Sequence, residues 1–151
     1  ARIVLHGVSM GAATVLMASG EDLPGNVKAV IADCGYTSEW DEFRREADAL
    51  HIPWFPVLNA TSVLSKIRDG YDFKQASALA QVKKSHIPTL FIHGSSDELV
   101  PYSMLGELYA AAACEKEELT VEGAGHALSS SVAPTLYWRT VEDFIAKHLD
   151  R

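Results

Sequence analysis

Short apolar runs rich in β-branched residues alternate with stretches of helical spacing along this chain, and glycine or proline marks most of the junctions. Arg2-Ile3-Val4-Leu5-His6 runs into Gly7 and has the character of a strand buried on both faces, ended by a sharp turn. Small and apolar residues from Met10 to Ser19, with Gly20 at the C-cap position, predict a helix. Val27 to Asp33 is a second buried strand, entered through Pro24-Gly25-Asn26 and left through Cys34-Gly35-Tyr36. Strand, helix and strand in this order imply a parallel sheet flanked by helices. A third strand, Thr89 to His93, lies between Pro88 and Gly94; a helix from Pro101 to about Ala113 follows, then a fourth strand, Glu118 to Val121. The last helix spans about Pro134 to His148, with Leu136, Thr140, Val141, Phe144, Ile145 and Leu149 on its expected core face.

Between the second and third strands lies an insertion of roughly 50 residues, too long for a plain connection, so it must hold helices of its own. They are expected at about Glu39 to Leu50, Pro56 to Ile67 and Lys74 to Val82. Trp40, Phe43, Trp54 and Phe55 concentrate aromatic surface in its first part, about residues 39–70. That part fits a cap lining an apolar pocket and equally fits helices that merely cover the sheet.

The 151 residues, 48% of them hydrophobic, suffice for one domain with a real core. A formal charge of -7 argues against a nucleic-acid partner, since a phosphate backbone needs a basic face, and favours a small-molecule substrate. Cys34 and Cys114 are far apart and lack the spacing of a zinc or redox motif, so buried reduced thiols are expected, with no metal and no cofactor. No apolar run approaches the roughly 18 residues of a membrane span, and Ala1 opens into a strand rather than a signal peptide. A cytoplasmic location is the expectation.

Gly7-Val8-Ser9-Met10-Gly11 is a G-x-S-x-G between a predicted strand and a predicted helix. Glycines there let strand and helix approach closely enough to lift the serine hydroxyl out of the backbone, and the helix N-terminus offers N–H groups to a developing oxyanion. The alternative is a glycine-rich turn whose serine caps a helix. The stretch His6-Gly7-Val8-Ser9-Met10-Gly11-Ala12-Ala13 resembles the nucleophile elbow of the α/β-hydrolases. His93-Gly94-Ser95-Ser96-Asp97-Glu98-Leu99-Val100-Pro101 resembles that superfamily's acid loop, and Gly123-Ala124-Gly125-His126 resembles its histidine loop. The order Ser, Asp, His along the chain is also the superfamily's order.

The resemblance implies a triad of Ser9 as nucleophile, His126 as base and Asp97 as acid, with the Met10 N–H as one oxyanion donor. Asp33 competes for the role of acid, because a carboxylate at that neighbouring strand end can reach the same imidazole; otherwise it organises the Gly35-Tyr36 turn. His6 and His93 fit packed, hydrogen-bonded histidines, and His51, His86 and His148 fit surface or loop positions. The resemblance further implies that the four strands are the fifth to eighth of about eight, which makes the chain the C-terminal half of an α/β-hydrolase fold with a helical cap insertion. A serine hydrolase is implied, an esterase, thioesterase or peptidase-like enzyme forming an acyl-enzyme on Ser9, weak or inactive as this fragment. A non-catalytic binding relative and an acyltransferase using the same serine are the alternatives. The expected partners are an ester, thioester or amide substrate, and either the missing N-terminal half or a second copy paired through the Arg2 to His6 edge.

Overall fold

The computed structural model describes residues 1–149, and its element order reproduces the alternation of strand and helix in the sequence. The elements are β1 (Ile3–Val8), α1 (Met10–Ser19), β2 (Val27–Asp33), α2 (Glu39–Ala49), α3 (Trp54–Asp69), α4 (Ala78–Val82), β3 (Thr89–Gly94), α5 (Ser103–Ala111), β4 (Lys116–Val121), α6 (Ser129–Val132) and α7 (Pro134–Leu149). All pairings are parallel, in the order β1-β2-β3-β4. Val8 pairs with Asp33, Asp33 with Ile92, and Gly94 with Val121, so the four strands end together along one edge.

Alternation along the two central strands builds two cores. Val30, Ala32 and Phe91 pack with Ala12 and Leu16 of α1, Val82 of α4 and Leu105 and Leu108 of α5. Ala29, Ile31, Leu90 and Ile92 face the other way, onto Tyr137, Val141 and Phe144 of α7. A strand's side chains point alternately to opposite faces, so continuous apolar runs such as Ala29–Ala32 are what two covered faces require. Each large side chain buried this way contributes roughly 1.5–3 kcal/mol.

Four details depart from the pattern-based expectation. β1 is an outer strand with Ile3 and Val8 about two-fifths exposed, not a strand buried on both faces. The core face of α7 is narrower than expected about the same centre: Tyr137, Val141, Phe144 and His148 are buried, whereas Leu136 is exposed. His148 therefore belongs to the core, its ring tilted against Phe144 with centroids 4.6 Å apart, rather than to the surface. Pro101 lies in the turn before α5 and not in its first helical position. The insertion holds α2, α3 and α4, and α2 is capped by Ser38, whose Oγ accepts from the Asp41 N–H.

Close approach of β1 and α1 rests on one glycine. A Cβ on Gly7 would fall on the carbonyl of Gly11 and the backbone nitrogen of Ala12. Gly11 differs, since a Cβ there meets nothing within 4 Å in this chain. Gly7→Ala should therefore destabilise the fold by about 3 kcal/mol or more, while Gly11→Ala, a helix position, should be neutral or stabilising by up to about 1 kcal/mol. Thermal or urea unfolding of the two variants checks this, and equal losses would contradict it.

Candidate active site

The aligned C-terminal ends of the strands deliver one functional loop each, as open parallel sheets do. β1 runs straight into Ser9, which adopts φ 56° and ψ -119°, a left-handed conformation unfavourable for a residue with a side chain. Its N–H donates to the Asp33 carbonyl at 2.8 Å, and its side chain makes no helix cap. Ser9 Oγ instead donates to His126 Nε2 at 2.7 Å. A serine that only caps a helix is thereby excluded in this geometry.

His126 sits five residues past β4, held by a loop whose Ala124 carbonyl accepts from the Ser96 N–H at 3.0 Å. A Cβ on Gly94 would collide with that Ala124 carbonyl, so the glycine ending β3 lets the two loops touch. His126 Nδ1–H donates to Asp97 Oδ2 at 2.9 Å. The Asp97 carboxylate has no exposed surface, and its Oδ1 accepts from the N–H groups of Leu99 (3.0 Å) and Val100 (2.9 Å). His93 Nε2 donates to the Val100 carbonyl at 3.0 Å and lies 3.3 Å from Asp97 Oδ2. His93 is the packed, hydrogen-bonded histidine expected, and Glu98, next to Asp97 in the chain, faces solvent.

Asp33 has a different task. Its Oδ1 accepts from the Ser129 Oγ at 3.1 Å, and Ser129 opens α6, three residues beyond His126. The Tyr137 hydroxyl also bonds to Asp33 and lies 3.0 Å from His6 Nε2, which completes a chain from the β1 edge to the histidine loop. Burial pushes the Asp33 carboxyl up, against the hydrogen bonds from Ser129 and Tyr137; burial lowers His6, against the attraction of Asp33. Asp33 thus braces the histidine loop through Ser129 rather than capping the Gly35-Tyr36 turn. Neither Ser129 nor Tyr137 carries a motif that sequence reading could use; the unexpected burial of Tyr137 is their one signal.

Cys34, at φ 48°, is buried behind the imidazole, with its thiol pushed up to about 12, chiefly by burial and then by Asp33. Among the described residues, Cys34, Asp97 and His126 form the one group with ligand atoms close enough for a metal, all within 4.8 Å of one another. A protonated buried thiol and a carboxylate with both oxygens engaged make a poor donor set for it. Above the site, α2 brings Glu42 near enough to His126 to feel its charge; burial raises the Glu42 carboxyl, opposed by Arg45 at 3.1 Å. Within the insertion, Lys74 Nζ lies over the Trp40 ring (4.5 Å) and the Arg44 guanidinium over the Trp54 ring (4.6 Å). No helix among the described residues is long and apolar enough to cross a membrane.

Solved structures share this architecture. An esterase from Pyrococcus furiosus superposes with a TM-score of 0.71 at 18% identity over 98% of this chain and 55% of its own. A Pyrococcus horikoshii acylaminoacyl peptidase superposes at 0.64, with 17% identity over 98% of this chain and 24% of its own. The sequence profile of the prolyl oligopeptidase family matches residues 1–151, and the chain belongs to that family. Among curated relatives, YqkD of Bacillus subtilis is 33% identical over 146 residues, and the α/β-hydrolase domain-containing protein WAV2 of Arabidopsis thaliana is 30% identical over 154. The chain covers 47% of the length of each, about half.

The raised Asp33 carboxyl has a sign that can be tested. Between the ordinary aspartate value of about 3.9 and its raised native value, Asp33 holds a proton when folded and loses it when unfolded. Its contribution to stability is full below that window and is lost as pH climbs through it. Asp33→Asn keeps an acceptor for Ser129, so its unfolding free energy relative to wild type should rise as pH climbs above about 4. Denaturant titrations at several pH values measure this, and a gap independent of pH would contradict it.

Proposed function

We propose that the full-length protein is a serine hydrolase that acts through an acyl-enzyme on Ser9, with His126 as base and Asp97 as acid. The observation that carries this reading is the continuous hydrogen-bonded chain from Ser9 Oγ through both nitrogens of His126 to Asp97. In this mechanism Ser9 Oγ attacks the substrate's carbonyl carbon as its proton passes to His126 Nε2. Asp97, anionic and fixed by two backbone N–H groups, holds the imidazole in the Nδ1–H tautomer and stabilises its positive charge. His126 then protonates the leaving oxygen, sulfur or nitrogen, and water assisted by the same imidazole releases the acyl group. Ester, thioester and amide substrates are all consistent, in keeping with esterases and an acylaminoacyl peptidase among the fold neighbours. These steps call for no cofactor.

The Met10 N–H, in the uncapped first turn of α1, is proposed as one oxyanion donor. A second would come from a segment beside the outer edge of β1, in the rest of the protein. Loss of one such donor lowers rates by about 10² to 10³, so these 151 residues alone should hydrolyse esters slowly.

Fluorophosphonate labelling and ester turnover of the full-length protein test the assignment. Ser9→Ala should abolish labelling and lower turnover by roughly 10⁴-fold or more, and His126→Ala should match it in turnover. Asp97→Asn should remove most activity while Asp33→Asn keeps most of it. A tenth of wild-type activity in Ser9→Ala, or the two aspartate results reversed, would refute these roles.

A further inference from the structure

The helix that follows β2 turns inward the residue least suited to burial. Among the described residues of α2 the buried one is Glu42, at 9% exposed, while its chain neighbour Phe43 is 40% exposed. Taking a carboxylate from water costs far more than taking an apolar side chain, so buried glutamates are normally held by partners from the surrounding fold. Glu42 is not. Among the described residues its hydrogen bonds come from Arg45 alone, one turn along the same helix, whose Nη2 donates to Oε1 at 3.1 Å and to Oε2 at 3.3 Å. The pair therefore does not tie α2 to the rest of the protein. The loop before α2 sets where this carboxylate lies: it leaves the C-terminal end of β2, and its Tyr36 is buried against Ala13, Val100 and Met104. The Ala13 N–H donates to the Ser9 carbonyl, and the Val100 N–H holds Asp97. α2 thus starts beside the triad, and Glu42 lies within reach of the His126 charge.

We propose that Glu42 determines specificity: its carboxylate receives a cationic group, an amine or guanidinium, that the substrate carries near its scissile carbonyl, and Arg45 fills that position until the substrate arrives. The inference rests on the reading of Ser9 as a hydrolase nucleophile. Arg45 is placed to be displaced. Its side chain is 32% exposed, its buried Nε has no hydrogen-bond partner among the described residues, and a second carboxylate, Glu46 Oε1, lies 3.9 Å from its Nη2. As the substrate cation donates to Glu42, Arg45 turns to Glu46, so neither charge is left without a partner. Pairs of this exposed, same-helix kind exchange at little cost. An anionic substrate is disfavoured, because Asp97 and Glu42 set two buried carboxylates about His126 against one partly exposed guanidinium. A buried ionisable group that faces a nucleophile without serving the fold is where recognition is expected.

Steady-state kinetics of the full-length protein on two ester series test the assignment. One series joins ω-amino acids of increasing length to methanol, the other joins acetate to ω-amino alcohols, each ester beside its uncharged alkyl counterpart and its ω-carboxylate counterpart. In at least one series wild type should prefer the amine over the alkyl ester by about tenfold or more in kcat/KM. Glu42→Gln should bring that ratio to about one, whereas Arg45→Ala, which removes the competitor, should raise it. A pair that only stabilises α2 would make the two variants act alike, and Arg45→Ala decides alone if Glu42→Gln does not fold. The inference is overturned by a protein that labels with fluorophosphonate and hydrolyses the esters without preferring amines, by a ratio that falls in Arg45→Ala, or by a preference for the ω-carboxylates. Absence of both labelling and turnover overturns the hydrolase reading, and this inference with it.

Discussion

The approach of β1 to the first turn of α1 is the contact on which the site depends. It leaves no room for a side chain at Gly7, and it forces Ser9 to a positive φ, a conformation that costs about 1–3 kcal/mol. The strain is held from the sheet side by the Ser9 N–H on the Asp33 carbonyl. Its result is a hydroxyl turned from the helix it precedes toward His126. Register then does the rest, because strands that end level place the loops after β3 and β4 within hydrogen-bond reach of that hydroxyl.

Two buried aspartates at adjacent strand ends take opposite parts through their surroundings. Asp97 lies in a loop whose backbone turns two N–H groups onto one oxygen, leaving the other for His126. Asp33 receives hydroxyls from Ser129 and Tyr137, neutral donors that only partly offset its burial. A carboxyl driven toward its neutral form suits a brace between secondary elements better than a partner for an imidazolium. The Ser129 link also ties the far side of the histidine loop to the strand whose carbonyl holds the Ser9 N–H.

Much of this was legible in the sequence, for definite reasons. Buried parallel strands are continuous apolar runs, so Val27–Asp33 is found at its true limits, and α1 is bounded by Ser9 and Gly20 as the chain suggests. Ser9, Asp97 and His126 each lie in a glycine-marked loop, and the structure brings those three together. Less was visible where the determinant is contact between distant segments. The burial of Tyr137 goes with its reaching Asp33, and that of His148 with its packing against Phe144, neither of which periodicity records. α6 is a single short turn with no apolar period of its own. Gly11 looks as necessary as Gly7 in the motif, but space decides between them, and spacing along the chain does not contain it.

The insertion illustrates a further limit of hydrophobic pattern. Periodicity identifies the apolar stripe of a helix without saying whether the protein's own core lies beneath it. In α2 and α4 the caps Ser38 and Ser77 fix the helix starts, and buried Ala78 and Val82 seat α4 on the core beside α1. In α3 hydrogen bonds and ion pairs to Asp72 and Lys74 secure the inner side, including Lys66 Nζ to Asp72 Oδ2 at 3.0 Å. Such surface pairs orient a helix but contribute little to holding it, typically no more than about 1 kcal/mol each. The larger free energy available to α3 is on its outer side, where each Å² of apolar surface taken from water is worth about 25 cal/mol. Polar contacts toward the protein and an apolar seam on the outer side are the arrangement expected of a helix whose main packing partner lies outside the described residues.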